Sequence, residues 1–274
     1  MGNFNNDQAE GLRRMLAGPK PRIVSVLSAL SVEEKSTTLV NLAASLTRAG
    51  SDVLLLDACS ASNGLAQRLG AARAATLMQV ARQERGLNEV IRKTAQGFRV
   101  GTMTRESMHG LLHDVDQARR LSNAFSVLAT QSDIVLVDAE LSADDDFPVA
   151  AMSAGEIVVQ VSGSSSAITS AYAIIKRLST QLGRRPFGLM VSGATDAEAQ
   201  RIYENIARTA GRYLAVELQL IGVVPVDADL RRAVQLGRSV VDAFPMAGAA
   251  IAFRRMAGHL LDLASTDRQS PRPV

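Results

Sequence analysis

The chain has 274 residues, of which 47% are hydrophobic and 21% are charged, and its formal net charge is +3. This composition predicts one sizeable core and excludes a disordered chain. The single cysteine, Cys59, excludes an internal disulfide framework and indicates a reducing compartment. The polar first eight residues predict no secretory signal, and no apolar run reaches the ~20 residues of a membrane span. We therefore expect a cytoplasmic location, with at most a peripheral contact at the inner face of the cell membrane.

The first predicted element is a short helix at 7–16, followed by a break with the sequence Ala-Gly-Pro-Lys-Pro at 17–21. Asp7 can cap this helix, because its carboxylate can accept free backbone N–H groups. Apolar residues recur at helical spacing and form one stripe: Ala9, Leu12 and Leu16. Residues 1–21 are thus predicted to be a tethered docking helix and its linker.

Strands and helices alternate behind the break. Seven apolar runs predict strands, at 22–29, 52–57, 98–103, 133–138, 156–161, 187–191 and 218–224. Helices are predicted at 35–49, 63–70, 75–83, 87–94, 114–131, 196–211, 227–236 and 247–264, and one more follows the strand at 156–161 and runs to 182. Because several strands are solidly apolar, we expect an α/β fold with a mostly parallel, doubly wound sheet that helices cover on both faces. This domain should span 22–264, and the polar segment 265–274 should be a flexible tail.

A phosphate-binding motif is indicated where the first strand meets the first helix. Lys35, Ser36 and Thr37 match the Lys-Ser/Thr opening of a P-loop helix, in which the lysine neutralises phosphate and the hydroxyl holds Mg²⁺. Two later apolar strands end in carboxylates, at the strand ends where such sheets bind ligands. This order of motifs resembles the MinD/ParA branch of P-loop ATPases. The resemblance implies a P-loop fold and a nucleotide and Mg²⁺ site at Lys35, Ser36, Thr37, Asp57 and Asp138.

The loop before Lys35 departs from that family's pattern, Lys-Gly-Gly-x-Gly-Lys-Ser/Thr. Leu30 stands where the signature lysine belongs. Larger side chains replace the three glycines, and they should obstruct the tight wrap that glycine permits: Ser31, Val32 and Glu34. Glu33 and Glu34 also bring negative charge toward a triphosphate, at a cost of about 4 kcal/mol for each like-charge pair at ~4 Å and an effective dielectric of ~20.

Two further positions differ from the family. Cys59 stands where the switch loop carries an Asp that places the attacking water, and Ser192 stands where an Asn reads adenine. The sequence therefore predicts weak or absent ATP turnover, with no catalytic residue assigned, no metal-ligand pattern among the three histidines, and ATP and Mg²⁺ binding left open. Capping of strand ends explains Asp57 and Asp138 as well as Mg²⁺ binding does, and burial is the favoured role of Cys59.

The segment Asp-Gln-Ala-x-x-Leu-Arg at 7–13 resembles the N-terminal motif of FlhG (FleN, YlxH), a MinD-like family that controls flagellar number and placement. Segments at 166–176 and 222–245 resemble the same family, and the likeness covers about 7–264. The resemblance implies a regulator of flagellum biosynthesis whose motif helix docks onto FlhF, an SRP-type GTPase, and stimulates GTP hydrolysis. It implies these partner-binding residues: Asp7, Gln8, Ala9, Leu12, Arg13 and Leu16.

The motif has a physical rationale and competing explanations. The apolar stripe can lie in a partner's groove, Gln8 can orient a water at a GTPase centre, and Arg13 can reach phosphate or an acidic rim. The alternatives are an active ATPase with an ATP-dependent monomer–dimer switch, and a ParA-like protein that binds DNA without sequence preference. Flagellar basal-body components, a flagellar transcription regulator and a second copy of the chain remain open as partners, and no specific nucleic acid is expected.

The last predicted helix has an apolar side, formed by Ile251, Phe253, Met256, Leu260, Leu261 and Leu263. MinD-like proteins often end in a membrane-seeking amphipathic helix. Packing of this helix on the sheet is the favoured explanation, and membrane contact is the alternative.

Overall fold

The computed structural model describes residues 20–59, 64–106, 114–141 and 146–269. Within these residues the strands are β1 (Arg22–Ser28), β2 (Val53–Ala58), β3 (Arg92–Lys93), β4 (Arg99–Thr102), β5 (Ile134–Ala139), β6 (Glu156–Val161), β7 (Phe187–Ser192) and β8 (Leu218–Val224). They form one sheet in the order β3-β4-β2-β5-β1-β6-β7-β8, parallel except for the β3–β4 pair. All seven strands predicted from apolar runs are present, and the α/β fold class is confirmed.

Ten α-helices flank the sheet in the part of the chain that the structure describes. They are α1 (Val32–Arg48), α2 (Leu65–Arg68), α3 (Leu77–Ala81), α4 (Val115–Ala129), α5 (Ala150–Ala154), α6 (Ser165–Leu182), α7 (Asp196–Leu214), α8 (Ala228–Gln235), α9 (Val240–Ala243) and α10 (Gly248–Gln269). Helices α3 to α7 cover one face, and α1, α2 and α8 to α10 cover the other. The sheet is therefore doubly wound, as a parallel sheet of solidly apolar strands requires.

Several boundaries differ from the sequence prediction, and the helices α5 and α9 were not predicted; three of the differences have a clear physical reason. Helix α1 begins at Val32, because Ser31 caps it and shares a capping box with Glu34. The prediction of a helix at 87–94 was wrong, because Leu87–Glu89 is a 3₁₀ turn and the strand β3 follows it. β3 forms a hairpin with β4 through a turn in which Gly97 has φ +94°. Helix α10 continues through 265–269, into the predicted tail, because the first proline after it is Pro271.

The predicted N-terminal docking helix, with Asp7, Gln8, Ala9, Leu12, Arg13 and Leu16, lies outside the described residues, as do 270–274. No helix within the described residues is long and apolar enough to cross a membrane.

Helix α10 packs against the edge strand β8 and against α1. Three residues of its apolar side, Phe253, Met256 and Leu260, are at most 2% exposed and cover the sheet, whereas Ile251 is 41% exposed. Gly222 of β8 permits this close approach, since a Cβ there would lie 2.1 Å from Met256 Cγ. On the same helix, His259 Nδ1 lies 3.1 Å from the Ile221 carbonyl oxygen and donates a hydrogen bond to it.

Candidate functional site at the carboxyl edge of the sheet

The carboxyl ends of β2 and β5 place two acidic residues side by side. Asp57 and Asp138 are register partners in neighbouring parallel strands, and both are buried. Cys59 follows β2 directly, and its Sγ lies 3.2 Å from Asp138 Oδ1. The Cys59 and Asp138 side chains therefore meet at the strand ends, in the position where α/β sheets bind ligands.

Lys35 reaches this group from the second turn of α1. Its ammonium lies 2.5 Å from Asp138 Oδ1 and donates a hydrogen bond of 2.5 Å to the Ala139 carbonyl oxygen. Cys59 Sγ lies 3.6 Å away. The four side chains of Lys35, Asp57, Cys59 and Asp138 form what we call the lysine cluster. The Lys35 side chain is only 8% exposed, so its charge points into the protein.

The ionisation of the lysine cluster follows from its burial. Burial alone would lower the pKa of Lys35, but the charge of Asp138 and the hydrogen bonds hold that pKa above its usual value, so the ammonium stays charged. Burial raises the pKa of Cys59 far above its ordinary value, with Asp138 adding to the rise and Lys35 opposing it. Cys59 is therefore a neutral thiol at physiological pH, which argues against a nucleophilic role, and its side chain is half-buried rather than buried as predicted.

Asp57 holds the start of the next helix. Its carboxylate accepts hydrogen bonds from the backbone N–H of Ala66, at 2.8 Å, and of Cys59, at 3.2 Å. Burial nevertheless raises its pKa, with the charge of Asp138 adding to the effect. The other oxygen of the neighbouring carboxylate, Asp138 Oδ2, is buried with no hydrogen-bond partner among the described residues.

The other two predicted ligands point elsewhere. Ser36 is fully buried, and its hydroxyl donates to the Val32 carbonyl oxygen at 2.7 Å, inside α1. Thr37 is half-buried and lines a separate pocket. Of the five predicted nucleotide and Mg²⁺ residues, the structure thus brings together Lys35, Asp57 and Asp138 and separates the two hydroxyls from them.

This separate pocket, which we call the edge pocket, has a volume of about 440 Å³. It opens between the first turn of α1, the ends of β6 to β8, and α8. Its polar floor consists of Thr38, Gln160 and Ser192, its apolar wall of Val224, Pro225, Val226, Leu230 and Val234, and its charged groups are Glu33, Glu34, Asp227 and Arg231.

Sequence reasoning missed Gln160, which organises the floor of the edge pocket. Its amide donates to Thr38 Oγ1 and to Ser192 Oγ, both at 2.9 Å, and its carbonyl accepts from Ser28 at 3.2 Å. The available signal was one glutamine in an otherwise apolar strand, Glu-Ile-Val-Val-Gln-Val. A polar side chain buried at such a position requires hydrogen-bond partners.

Asp227 is a second residue that the sequence alone did not single out. Its carboxylate accepts from the backbone N–H of Asp229 and Leu230 at the start of α8, and from Ala249 at the start of α10. Burial would raise its pKa, but these three donors together hold the pKa below its ordinary value. One carboxylate thus joins the ends of two helices beside the edge pocket.

No protein-family model matches the chain. Among curated proteins, it is 29% identical over 242 residues to the antiactivator FleN of Pseudomonas aeruginosa. The aligned region covers 86% of this chain and 85% of that protein. The sequence resemblance to FlhG/FleN-type, MinD-like regulators is thereby confirmed.

Solved structures share the fold. MinD of Pyrococcus horikoshii in complex with Mg-ADP is 21% identical with a TM-score of 0.67, covering 91% of this chain and all of that one. The cell-division ATPase MinD of Pyrococcus furiosus is 22% identical with a TM-score of 0.66, covering 88% and 99%. A ParA-family ATPase of Chlorobium tepidum is 15% identical with a TM-score of 0.62, covering 88% and 98%. The chain therefore has the MinD/ParA-type P-loop fold.

Proposed function

We propose that this protein regulates flagellar number and placement by binding other proteins, and that its ATP turnover is weak or lost. The observation that carries the proposal is the position of Lys35. The lysine that would neutralise phosphate in a P-loop is instead buried in the lysine cluster, where it pairs with Asp138. A relative of known role, the antiactivator FleN, supports the flagellar assignment.

The first turn of α1 does not fit a bound Mg-triphosphate. No glycine stands between β1 and Lys35, and the N–H groups of Ser31 and Glu34 are engaged in the capping box. Glu33 and Glu34 are exposed at this turn, where a helix N-terminus would otherwise attract an anion. A triphosphate would face two carboxylates and would find no free lysine.

Moving Lys35 toward a nucleotide would also break a buried ion pair. Removing one partner of such a pair costs about 3–5 kcal/mol, because the other charge is left buried and uncompensated. Phosphate contacts would have to exceed that cost before any net affinity appeared. The geometry therefore favours a structural use of Lys35, Asp57 and Asp138 over a nucleotide or Mg²⁺ site.

The competing function is an active MinD/ParA-type ATPase with an ATP-dependent monomer–dimer switch. Two of the solved neighbours that share the fold are ATPases, and a third was solved in complex with Mg-ADP. Calorimetric titration of the full chain with Mg-ATP, together with a phosphate-release assay, separates the two functions. We expect no binding at micromolar concentrations and no Mg²⁺-dependent turnover. Micromolar affinity with turnover that is lost in Lys35→Ala would establish the ATPase instead.

We infer that the partner-docking element is the N-terminal segment, through Asp7, Gln8, Ala9, Leu12, Arg13 and Leu16. Its proposed target is an FlhF-like, SRP-type GTPase, since the motif resembles that of FlhG. The test measures the GTPase rate of the partner with the full chain and with a Gln8→Ala variant. We expect the full chain to stimulate hydrolysis and the variant to lose most of the stimulation. Undiminished stimulation by the variant would remove Gln8 from the mechanism.

Further partners follow from the same relatives. A flagellar transcription regulator is proposed as a partner because the relative is an antiactivator. A homodimer is proposed only as part of the competing function, in which ATP switches the protein between monomer and dimer. We propose a cytoplasmic location without stable membrane contact, because Phe253, Met256 and Leu260 of α10 are already buried on the domain. Liposome co-sedimentation of the full chain tests that placement, and we expect the protein to stay in the supernatant.

A further inference from the structure

We propose that the edge pocket binds the arginine side chain of a partner protein; it is lined by Ser192, which stands where the resembled family has an Asn that reads adenine. This inference rests on the proposed function, because the pocket is open to such a group only if no nucleotide occupies it. The ligand class is an alkylguanidinium, which combines a cationic head with an aliphatic stem.

The charges of the edge pocket carry the first step. Three acidic side chains line it against a single basic one: Glu33, Glu34 and Asp227 against Arg231. Glu33 and Glu34 are exposed at the rim, although the Glu34 carboxylate also accepts hydrogen bonds from Ser31 in the capping box, and Arg68 donates to the Glu33 carbonyl oxygen at 3.1 Å. Lys35, the nearest cation in sequence, is turned away and paired with Asp138. The rim therefore attracts a cation and disfavours an anion.

The amide of Gln160, on the floor of the pocket, is not available to read a base. Both amide hydrogens of Gln160 are engaged by Thr38 and Ser192, and its carbonyl accepts from Ser28. Gln160 therefore has no free donor with which to read the edge of a base. A guanidinium needs acceptors only, because it has five donors and no acceptor of its own.

The apolar wall suits an aliphatic stem. Val226 is 72% exposed beside Pro225, and Leu230 continues the wall on α8. Apolar surface next to a carboxylate rim matches the two parts of an arginine side chain, whose methylene groups pack while the head stays wet. The acidic rim and the apolar wall together fit an arginine, so we expect the partner to present a basic segment that contains one.

The test uses N-acetyl-arginine amide as the probe and N-acetyl-citrulline amide as its neutral isostere, titrated into the full chain and followed by amide chemical shifts. We expect the arginine probe to shift the amides of Thr37, Thr38, Gly193 and Val226, and to bind about fivefold more tightly than citrulline, as two exposed ion pairs allow. Added salt should reduce this difference.

Two variants of opposite sign sharpen the test. Glu33→Gln/Glu34→Gln should weaken arginine binding about fivefold, and it keeps the capping box because glutamine also serves at that position. Arg231→Gln should tighten binding about twofold, and Glu204→Gln, on the exposed face of α7, should leave it unchanged.

Several results would overturn the proposal: equal binding of arginine and citrulline, shifts located away from the edge pocket, or adenosine binding there in preference to arginine. These outcomes are separate from a failure of the proposed function, because the titration contains neither ATP nor GTPase. Mg-ATP turnover would sink the proposed function first, whereas absent turnover together with absent arginine discrimination would sink only this inference.

Discussion

The two halves of the sheet's carboxyl edge use charge in opposite ways. In the lysine cluster, at β2 and β5, the cation and the carboxylates face one another in the interior, and Asp138 is 1% exposed. In the edge pocket, at β6 to β8, Glu33 and Glu34 face solvent. The lysine cluster thus lies in the core, whereas the edge pocket opens to solvent.

The largest expected effect is in the lysine cluster. Asp138→Ala should lower the free energy of unfolding by about 3–5 kcal/mol, because it leaves the Lys35 ammonium buried without its counter-charge. Urea unfolding followed by circular dichroism measures this. Lys35→Met/Asp138→Leu should recover most of the loss, since an apolar pair of similar volume needs no counter-charge. The exposed Asp116→Ala, as control, should change stability by less than about 0.5 kcal/mol. A loss below about 1 kcal/mol for Asp138→Ala would mean that the pair is solvated.

Next in size is the carboxylate that supports the edge pocket. Asp227→Ala should cost about 2 kcal/mol, because three backbone N–H groups at two helix starts lose their acceptor. The midpoint of thermal unfolding measures it. Asp229→Ala removes only an exposed ion pair with Arg232 and should have a much smaller effect. Equal effects of the two substitutions would show that helix capping is not the role of Asp227.

A smaller effect is expected where the two halves meet, at the start of α1. Ser31→Ala should cost about 1 kcal/mol, because it removes the hydroxyl that accepts from the Glu34 N–H. Ser31→Asp should retain most of the stability, since aspartate is an equally good N-cap. Chemical denaturation of the three proteins under one set of conditions provides the comparison, and a destabilised Ser31→Asp would contradict the capping explanation.

The smallest expected effect is a pH dependence from Asp227. Since its folded-state pKa lies below that of the unfolded chain, which is ~3.9, the carboxylate stabilises the fold above the unfolded value. That contribution should be lost as the pH falls through the folded-state pKa. The stability difference between the natural protein and Asp227→Asn should therefore stay constant from pH 7 to about 5 and shrink below about 4. A difference that grows on acidification would reverse the sign of the assigned shift.

The sequence alone predicts the sheet well, for a physical reason. Strands such as β2 and β5 are apolar on both faces, which is typical of buried parallel strands. The same pattern predicts that their terminal carboxylates, Asp57 and Asp138, lie at the edge of the sheet that binds ligands. The pattern Ser-x-x-Glu at 31–34 also announced a capping box, so the true start of α1 was readable.

The partners of the site residues could not be read from the sequence. Lys35 and Asp138 are more than one hundred residues apart, and only the folded sheet brings them together. The direction of a long lysine side chain is set by packing rather than by local propensity. Likewise, Gln160 is one polar residue in an apolar strand, and its role appears only once Ser28, Thr38 and Ser192 surround it.

The close packing of α10 on β8 should protect the protein from self-association through that edge strand. An outermost strand offers unpaired backbone groups that another chain can adopt as a template for fibrils. Here one edge strand, β3, is only two residues long, and α10 packs on the other, β8. His259 of α10 also hydrogen-bonds the Ile221 carbonyl oxygen. Gly222→Val would push Met256 and this cover outward, and self-association at that border is the failure we would look for first.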